Sequence, residues 1–228
     1  MSRLLADNLN KVQEKIEGIC IKSGRNVNDV KIIAVTKYVD VEKTKEILDL
    51  GIEHIGENRV KEGTEKYEAL KDRGTWHFIG TIQSRKVKQV IDKFDYIHSL
   101  DRLSLAEEID KRAKQLNKEV KCFVQVNVSG EASKSGVAPE QLVDFIKEIA
   151  KFKTIHLTGL MTMAPLVDDK EETRDIFRKL RGLLELINSE QLLDYQFTEL
   201  SMGMSNDYEI AIEEGATFVR LGTVIFGG

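Results

Sequence analysis

The chain has 228 residues and a formal net charge of −4, with 41% hydrophobic and 32% charged residues. This composition is ordinary for a globular protein, and the acidic balance argues against general binding to nucleic acid or to an anionic membrane. No apolar run approaches the ~20 residues of a membrane span, and the N-terminal segment lacks the apolar core of a signal peptide. The two cysteines, Cys20 and Cys122, lie outside any metal-binding pattern. We therefore expect a cytoplasmic protein without a metal site.

Strand-like and helix-like patterns alternate along the chain. A helix is predicted over residues 3–23, and helical spacing recurs later, as in the apolar positions Leu142, Ile146 and Ile149. Between the helical patterns lie eight apolar segments of strand type, at residues 30–36, 53–57, 75–79, 94–99, 120–128, 154–161, 197–201 and 217–221. Strands that alternate with helices predict βαβ units and a parallel sheet.

Eight such units favour a closed (β/α)8 barrel of the TIM type, preceded by the extra N-terminal helix. An open doubly wound sheet is the alternative arrangement. The sequence contains neither a linker-like stretch nor an internal repeat, and its only prolines are Pro139 and Pro165. We therefore expect a single domain over residues 1–228.

The stretch KIIAVTKYVD, residues 31–40, places a lysine where the first buried strand ends. Barrel active sites lie at the carboxyl ends of the strands, so Lys37 is predicted to face the barrel mouth. Partial burial favours the neutral amine, which can attack an aldehyde to form a Schiff base. A lysine that reaches solvent or pairs with a carboxylate is the alternative interpretation. Tyr38 is expected to face the opposite way, because successive strand residues point to opposite sides.

The segment LSMGMSNDYEIAIEEG has the composition of an anion site. Ser201, Gly203 and Ser205 precede a helical pattern, for which Ser205 or Asn206 is the expected N-cap. A turn of this kind offers free backbone N–H groups to an anion. An ordinary turn is the alternative.

A second small-residue turn follows the last predicted strand, where Gly222 and Thr223 come after Arg220. Barrel phosphate sites are frequently built from the loops after strands seven and eight. A phosphate site and an amine nucleophile at one barrel mouth indicate a phosphorylated aldehyde, for which pyridoxal 5′-phosphate is the obvious candidate. Arg220 is then placed to face the pyridine nitrogen, and its guanidinium donates hydrogen bonds without readily giving up a proton.

Several longer motifs occur in a familiar order along the chain. They are AVTKYV, HIGENRVKE, WHFIGTIQSRKVK, HSLDR, VQVNVSGEASKSGV, GLMTMAP and LSMGMSNDYEIAIEEGATFVRLGTVIFG. Together they resemble the pyridoxal phosphate homeostasis protein family, from about residue 4 to the C-terminus. The patterns SMGMSxDxxxAI and RxGTxIFG are the most specific of these signatures.

The resemblance implies a barrel similar to the N-terminal domain of alanine racemase, with pyridoxal phosphate as a Schiff base on Lys37. It further implies contacts to the phosphate or the ring from a set of matching positions: Asn58, Ser201, Met202, Gly203, Arg220, Gly222 and Thr223. The resemblance also implies a protein that carries or buffers the cofactor in vitamin B6 homeostasis, without robust catalysis. Apo forms of pyridoxal phosphate-dependent enzymes are the expected recipients, and we expect a monomer.

Two other functions are compatible with parts of the pattern. A racemase-like enzyme needs a second acid/base on the other face of the ring, and we expect no room for the domain that supplies it, because the 228 residues end soon after strand eight. A Schiff-base aldolase needs no cofactor, but its lysine more often comes from a later strand. Racemisation assays and the visible absorption spectrum separate these alternatives.

Overall fold

The structure, a computed structural model, describes residues 3–131, 133–167 and 169–227. Within these residues eight parallel strands close into a barrel in which each strand pairs with its neighbours in chain order. The strands are β1 (Lys31–Val35), β2 (His54–Glu57), β3 (Thr75–Phe78), β4 (Tyr96–Leu100), β5 (Val120–Gln125), β6 (Ile155–Met161), β7 (Glu199–Met204) and β8 (Phe218–Leu221). The predicted closed barrel is confirmed, and the open sheet is excluded because β8 pairs with β1.

Helices cover the outside of the barrel. They are α1 (Arg3–Ser23), α2 (Val41–Asp49), α3 (Val60–Leu70), α4 (Leu103–Leu116), α5 (Leu142–Ile149), α6 (Lys170–Ser189), α7 (Tyr208–Glu213) and α8 (Thr223–Phe226). After β3 the chain forms a 3₁₀ segment, Ser84–Gln89. No helix of the described residues combines the length and the apolar character that crossing a membrane requires.

The strands separate an inner from an outer apolar layer. Ile33 of β1 packs inside the barrel with Phe123, Met161 and Phe218. The next residue, Ala34, belongs to the larger core between the barrel and its helices. This alternation follows from the period of two along a strand. Because both faces are covered, β1 reads in the sequence as a continuous apolar run.

The N-terminal helix α1 braces the segments that follow the last two strands. The Asn8 side-chain amide of α1 donates to the Ile225 carbonyl at 3.1 Å, and Arg25, which follows the helix, donates through Nη1 to the Ile212 carbonyl at 2.6 Å. Leu5 and Leu9 of the same helix are buried. The extra helix therefore stabilises α7 and α8, which stand beside the barrel mouth.

Candidate functional site

A cavity of about 470 Å³ opens at the carboxyl ends of the strands, and we call it the mouth pocket. Its wall is built from the ends of several strands and the turns that follow them. Five of the residues predicted from the sequence lie in this wall: Lys37, Asn58, Arg220, Gly222 and Thr223. The structure does not bring the other three, Ser201, Met202 and Gly203, to the wall; they are buried.

Lys37 lies in the turn that follows β1, and its side chain is partly exposed. Its Nζ is 4.9 Å from the centre of the Tyr38 ring. Tyr38 also lines the mouth pocket, so the expectation that it faces the opposite way is wrong. The strand ends at Val35, and the Val39 N–H donates to the Thr36 carbonyl at 3.0 Å, so the backbone has already turned. Strand alternation does not apply there.

A buried ion pair supports the turn that carries Lys37. Glu57 at the end of β2 and Lys66 of α3 pair at 2.6 Å, with side chains that are 0% and 6% exposed. The Lys66 ammonium also donates to the Thr36 carbonyl at 2.5 Å, and the Thr36 hydroxyl donates to Glu57 at 2.5 Å. Because Thr36 precedes Lys37, these contacts hold the backbone at the base of the lysine.

Asn58 follows that ion pair directly and presents an unsatisfied acceptor. Its Oδ1 is buried and has no hydrogen-bond partner among the described residues. Gly80 allows the next strand end to approach, since a Cβ at this position would lie 2.3 Å from the Asn58 carbonyl oxygen. Buried polar atoms are nearly always paired in folded proteins. Asn58 therefore has the character of a group that completes its hydrogen bonding with a ligand.

Arg220 of β8 enters the mouth pocket from inside the barrel. Its Nη1 donates to the Ser201 hydroxyl at 2.6 Å, and its Nη2 donates to the Thr162 carbonyl at 2.9 Å. Burial lowers the pKa of Arg220 to about 10, while the carboxylate of Asp207 acts in the opposite direction. The guanidinium is therefore cationic at neutral pH, and its other N–H donors are available to the pocket.

A bulge in β7 decides which residues of the SMGMSN segment reach the pocket. Ser201 pairs with Phe218 and Met204 with Arg220, so three steps along β7 match two along β8. Gly203 lies within the bulge at φ +92°, and a Cβ there would meet Ala211 Cβ at 2.5 Å. A bulge turns the following side chains to a new direction.

The residues after the bulge form one side of the mouth pocket. Met204, Ser205 and Asn206 line it. The Ser205 hydroxyl accepts hydrogen bonds from the backbone N–H groups of Gly222 at 3.2 Å and Val224 at 3.4 Å. The two small-residue turns are thus joined, with Thr223 in the same wall.

The helix after this turn begins later than predicted. It starts at Tyr208, after Asp207, and not at Ser205 or Asn206. Asp207 accepts a hydrogen bond from the Met204 N–H at 2.5 Å, and burial raises the pKa of its carboxyl group. Ser205 and Asn206 are therefore free to contribute to the pocket.

Sequence reasoning missed several pocket residues. They include Tyr38, Gln125, Ser205 and Asn206. For Ser205 and Asn206 the signal was present, because both belong to the turn that the sequence marks as an anion site. Gln125 at the end of β5 carries no such mark, and only the closed barrel brings it to the pocket.

The mouth pocket combines a primary amine, a cationic donor, an unpaired amide oxygen and a cluster of hydroxyl and backbone groups. The amine can bond covalently to a carbonyl carbon. The hydroxyl groups and the turns after β7 and β8 suit an anionic group. A small, partly planar aldehyde with a phosphate fits this set of groups.

Comparison with known proteins places the chain among pyridoxal phosphate-related barrels. Residues 5–228 match the family described as the alanine racemase N-terminal domain. An alanine racemase of Clostridium difficile 630 shares the fold, with a TM-score of 0.75 and 19% identity; the match covers 99% of this chain and 56% of the racemase.

Other relatives are more similar. The pyridoxal phosphate homeostasis protein of Aquifex aeolicus is 44% identical over 222 residues, which cover 97% of this chain and 96% of the relative. PipY of Synechococcus elongatus PCC7942, solved with PLP bound, superposes with a TM-score of 0.85 at 32% identity and covers 98% of this chain and 100% of PipY. The chain belongs to the family of pyridoxal phosphate homeostasis proteins.

Proposed function

We propose that this protein binds pyridoxal 5′-phosphate in the mouth pocket and serves its intracellular homeostasis without robust catalysis. The observation that carries the proposal is the presence of Lys37 and Arg220 in the wall of one pocket at the barrel mouth. The relatives support it, since they are named pyridoxal phosphate homeostasis proteins and PipY was solved with PLP.

Lys37 supplies the amine for covalent attachment. Its nitrogen would hold the cofactor through a Schiff base with the aldehyde carbon, formed with loss of water. The buried ion pair of Glu57 and Lys66 holds the Thr36 carbonyl that precedes the lysine. Asn58 offers its unpaired oxygen to a donor on the ligand.

The phosphate is assigned to the turns after β7 and β8. Thr223 contributes its hydroxyl and Gly222 its backbone, and Ser205 joins the two turns through hydrogen bonds. The sequence assigned the hydroxyl of Ser201 to this task. Ser201 is 0% exposed and bonded to Arg220, so we propose Ser205 in its place.

Arg220 faces the pyridine nitrogen in this proposal. Pyridoxal phosphate supplies an electron-accepting ring when it is bound. A guanidinium donor needs the ring nitrogen as an acceptor and so opposes its protonation. The ring then withdraws electrons weakly, which suits a protein that stores or passes on the cofactor. Apo forms of pyridoxal phosphate-dependent enzymes are the proposed recipients.

Replacing Lys37 by alanine is expected to abolish covalent attachment while the barrel stays folded, because Lys37 is partly exposed in a turn. The measurement is borohydride reduction of the pyridoxal phosphate-treated protein, followed by mass analysis of its peptides. The parent protein should carry the added mass on the Lys37 peptide.

Lys45→Ala is the matched control, because Lys45 is exposed on α2 and does not line the mouth pocket. This variant should be labelled like the parent protein. Equal labelling of Lys37→Ala and the parent protein would refute the assignment of the attachment site.

The loaded protein is expected to reactivate a pyridoxal phosphate-dependent apo-enzyme and to be slow on free amino acids. General acid–base assistance is typically worth 10²–10⁴-fold, and Arg220 weakens the ring as an electron acceptor. Racemisation and transamination by the pure protein are the measurements. Turnover above about 1 s⁻¹, within the ordinary enzyme range, would contradict the non-catalytic proposal. Failure to reactivate any apo-enzyme would contradict the transfer of cofactor.

A further inference from the structure

Three histidines from adjacent strands form a continuous hydrogen-bonded chain through the barrel interior. His54 Nδ1 lies 2.9 Å from His77 Nε2, and His77 Nδ1 lies 2.8 Å from His98 Nε2. His98 Nδ1 lies 2.9 Å from the Ser201 hydroxyl, which accepts a hydrogen bond from Arg220 at 2.6 Å. His77 and His98 are 0% exposed.

This series of hydrogen bonds runs from one end of the barrel to the other. His54 opens β2, at the end opposite the mouth, and lines a second cavity of about 360 Å³ there. Arg220 lines the mouth pocket. The stacked rings of His77 on Tyr96 and His98 on Phe123, with centres 4.5 and 4.3 Å apart, hold the imidazoles in place. The contacts therefore connect the two cavities through a packed core.

The guanidinium determines the direction of every bond in the chain. Arginine only donates, so the Ser201 oxygen accepts from Arg220 and its proton is free to point to His98. His98 Nδ1 then accepts, and its Nε2–H donates to His77. His77 Nδ1 accepts this bond, and its Nε2–H donates to His54 Nδ1. All three rings therefore carry their proton on Nε2.

The opposite direction would leave a buried proton unsatisfied. If His98 Nδ1–H donated to Ser201, the serine oxygen would accept twice, and its own proton would lack an acceptor in the hydrogen bonds described. A buried donor without an acceptor is unfavourable. The one-way arrangement satisfies each buried polar atom between Arg220 and His54.

Neutral imidazoles are required for this arrangement, and the surroundings favour them. Burial lowers the pKa of His77 and His98 well below the ordinary value, and Arg220 adds to this at His98. Burial and Lys31 of β1 lower the pKa of His54, against the carboxylates of Glu53, Asp95 and Glu199. At His77 the neighbouring His98 and His54, and then Lys31 and Lys121 of β5, lower the pKa in the same direction as burial.

We propose that His54, His77 and His98 form a one-way hydrogen-bond relay that, through Ser201, positions Arg220 as a donor toward the mouth pocket. Ser201 and the Thr162 carbonyl hold the guanidinium from behind, so its remaining N–H donors keep one orientation. The identification of the pyridine nitrogen as the ligand atom that accepts from these donors rests on the proposed function. The direction of the relay does not, because it follows from the protein's own donors and acceptors.

The first test measures the tautomers of the three histidines in the full chain. Long-range proton–nitrogen NMR correlations at pH 7.5, with and without pyridoxal phosphate, should place the proton on Nε2 in His54, His77 and His98. A proton on Nδ1 of His77 or His98 would overturn the one-way relay, whatever ligand the pocket binds.

The second test separates positioning of Arg220 from a general structural role. It compares the binding of pyridoxal phosphate with that of its carbocyclic analogue, in which C–H replaces the pyridine nitrogen. Ser201→Ala and His98→Leu should weaken pyridoxal phosphate about 10- to 100-fold, the range for a hydrogen bond to a charged group. Both variants should leave binding of the analogue nearly unchanged.

Conservative replacement provides the control. His98→Asn retains an acceptor near the Nδ1 position and should restore most of the selectivity for pyridoxal phosphate over the analogue. His156→Gln lies outside the relay and should bind both ligands like the parent protein. Equal weakening of both ligands in Ser201→Ala and His98→Leu would overturn the positioning role. If the parent protein binds neither ligand, the proposed function fails, and the tautomers alone decide whether the relay exists.

Discussion

Replacing Glu57 by glutamine is expected to lower the free energy of unfolding by about 3–5 kcal/mol, the usual cost of breaking a buried ion pair. The change leaves the Lys66 ammonium, with a side chain 6% exposed, beside a neutral amide. A buried charge without its counter-ion is unfavourable, because no attraction offsets the free-energy cost of removing it from water. Denaturant-induced unfolding of the parent and variant proteins measures the difference.

A double-mutant cycle over Glu57 and Lys66 shows whether the loss of stability comes from breaking their ion pair. Lys66→Met alone should be comparably destabilising, because Glu57 is 0% exposed. The double variant Glu57→Leu, Lys66→Met removes both charges and should be more stable than either single variant. Additive losses in the double variant would mean that the two residues stabilise the fold independently.

An exposed pair on the same helix is the matched control. Lys61 and Glu65 of α3 lie 4.0 Å apart, with side chains 83% and 63% exposed. Surface ion pairs are worth at most about 1 kcal/mol. Lys61→Met should therefore change the free energy of unfolding far less than Lys66→Met, although both remove a lysine from α3.

Acidification from pH 6.5 to 5.5 is expected to lower the free energy of unfolding steeply, because His77 and His98 resist protonation in the folded state. Their pKa values in the fold lie well below the ordinary value of 6.5, chiefly through burial. Below pH 6.5 the unfolded chain binds protons that the folded chain does not. The free energy of unfolding therefore decreases as the pH is lowered. Each histidine contributes up to ~1.36 kcal/mol per pH unit, or roughly 2.7 kcal/mol for the two.

Unfolding curves at several pH values measure this slope, and the histidine variants assign it. His98→Asn removes one of the two groups whose pKa values lie furthest below the ordinary value, and it should reduce the slope by roughly a third to a half, because the pKa of His54 is lowered as well. His156→Gln, at a histidine that stacks on Tyr195 outside the relay, is the reference for losing an imidazole elsewhere in the fold. A flat profile between pH 6.5 and 5.5 would show that the folded protein accepts these protons.

Local patterns in the sequence were sufficient for the order of the elements and for the position of the key lysine. The eight predicted strands correspond to the eight strands of the barrel, and the predicted helix over residues 3–23 is α1. The apolar run of β1 ends just before Lys37, and the strand ends lie at the mouth of a closed barrel. Strand and helix periods depend on neighbouring residues, so they can be read from the sequence.

The detailed composition of the site depended on contacts between strands. Ser201 and Ser205 look alike in the sequence, yet the bulge at Gly203 buries the first behind Arg220 and brings the second to the mouth pocket. A bulge is a property of the pairing between β7 and β8, which local composition does not specify. Tyr38 was misplaced for a related reason, because the end of β1 is set by pairing and not by the apolar pattern alone.

What the sequence by itself determined is the barrel, the family and the residue types at the strand ends. Only the tertiary structure decided that Glu57 pairs with Lys66 and that His54, His77 and His98 touch. The three histidines stand on separate strands, about twenty residues apart in the chain, and each one alone has the pattern of an ordinary buried residue. Closure of the barrel points them into the same narrow interior, where neutral imidazoles satisfy one another's hydrogen bonds.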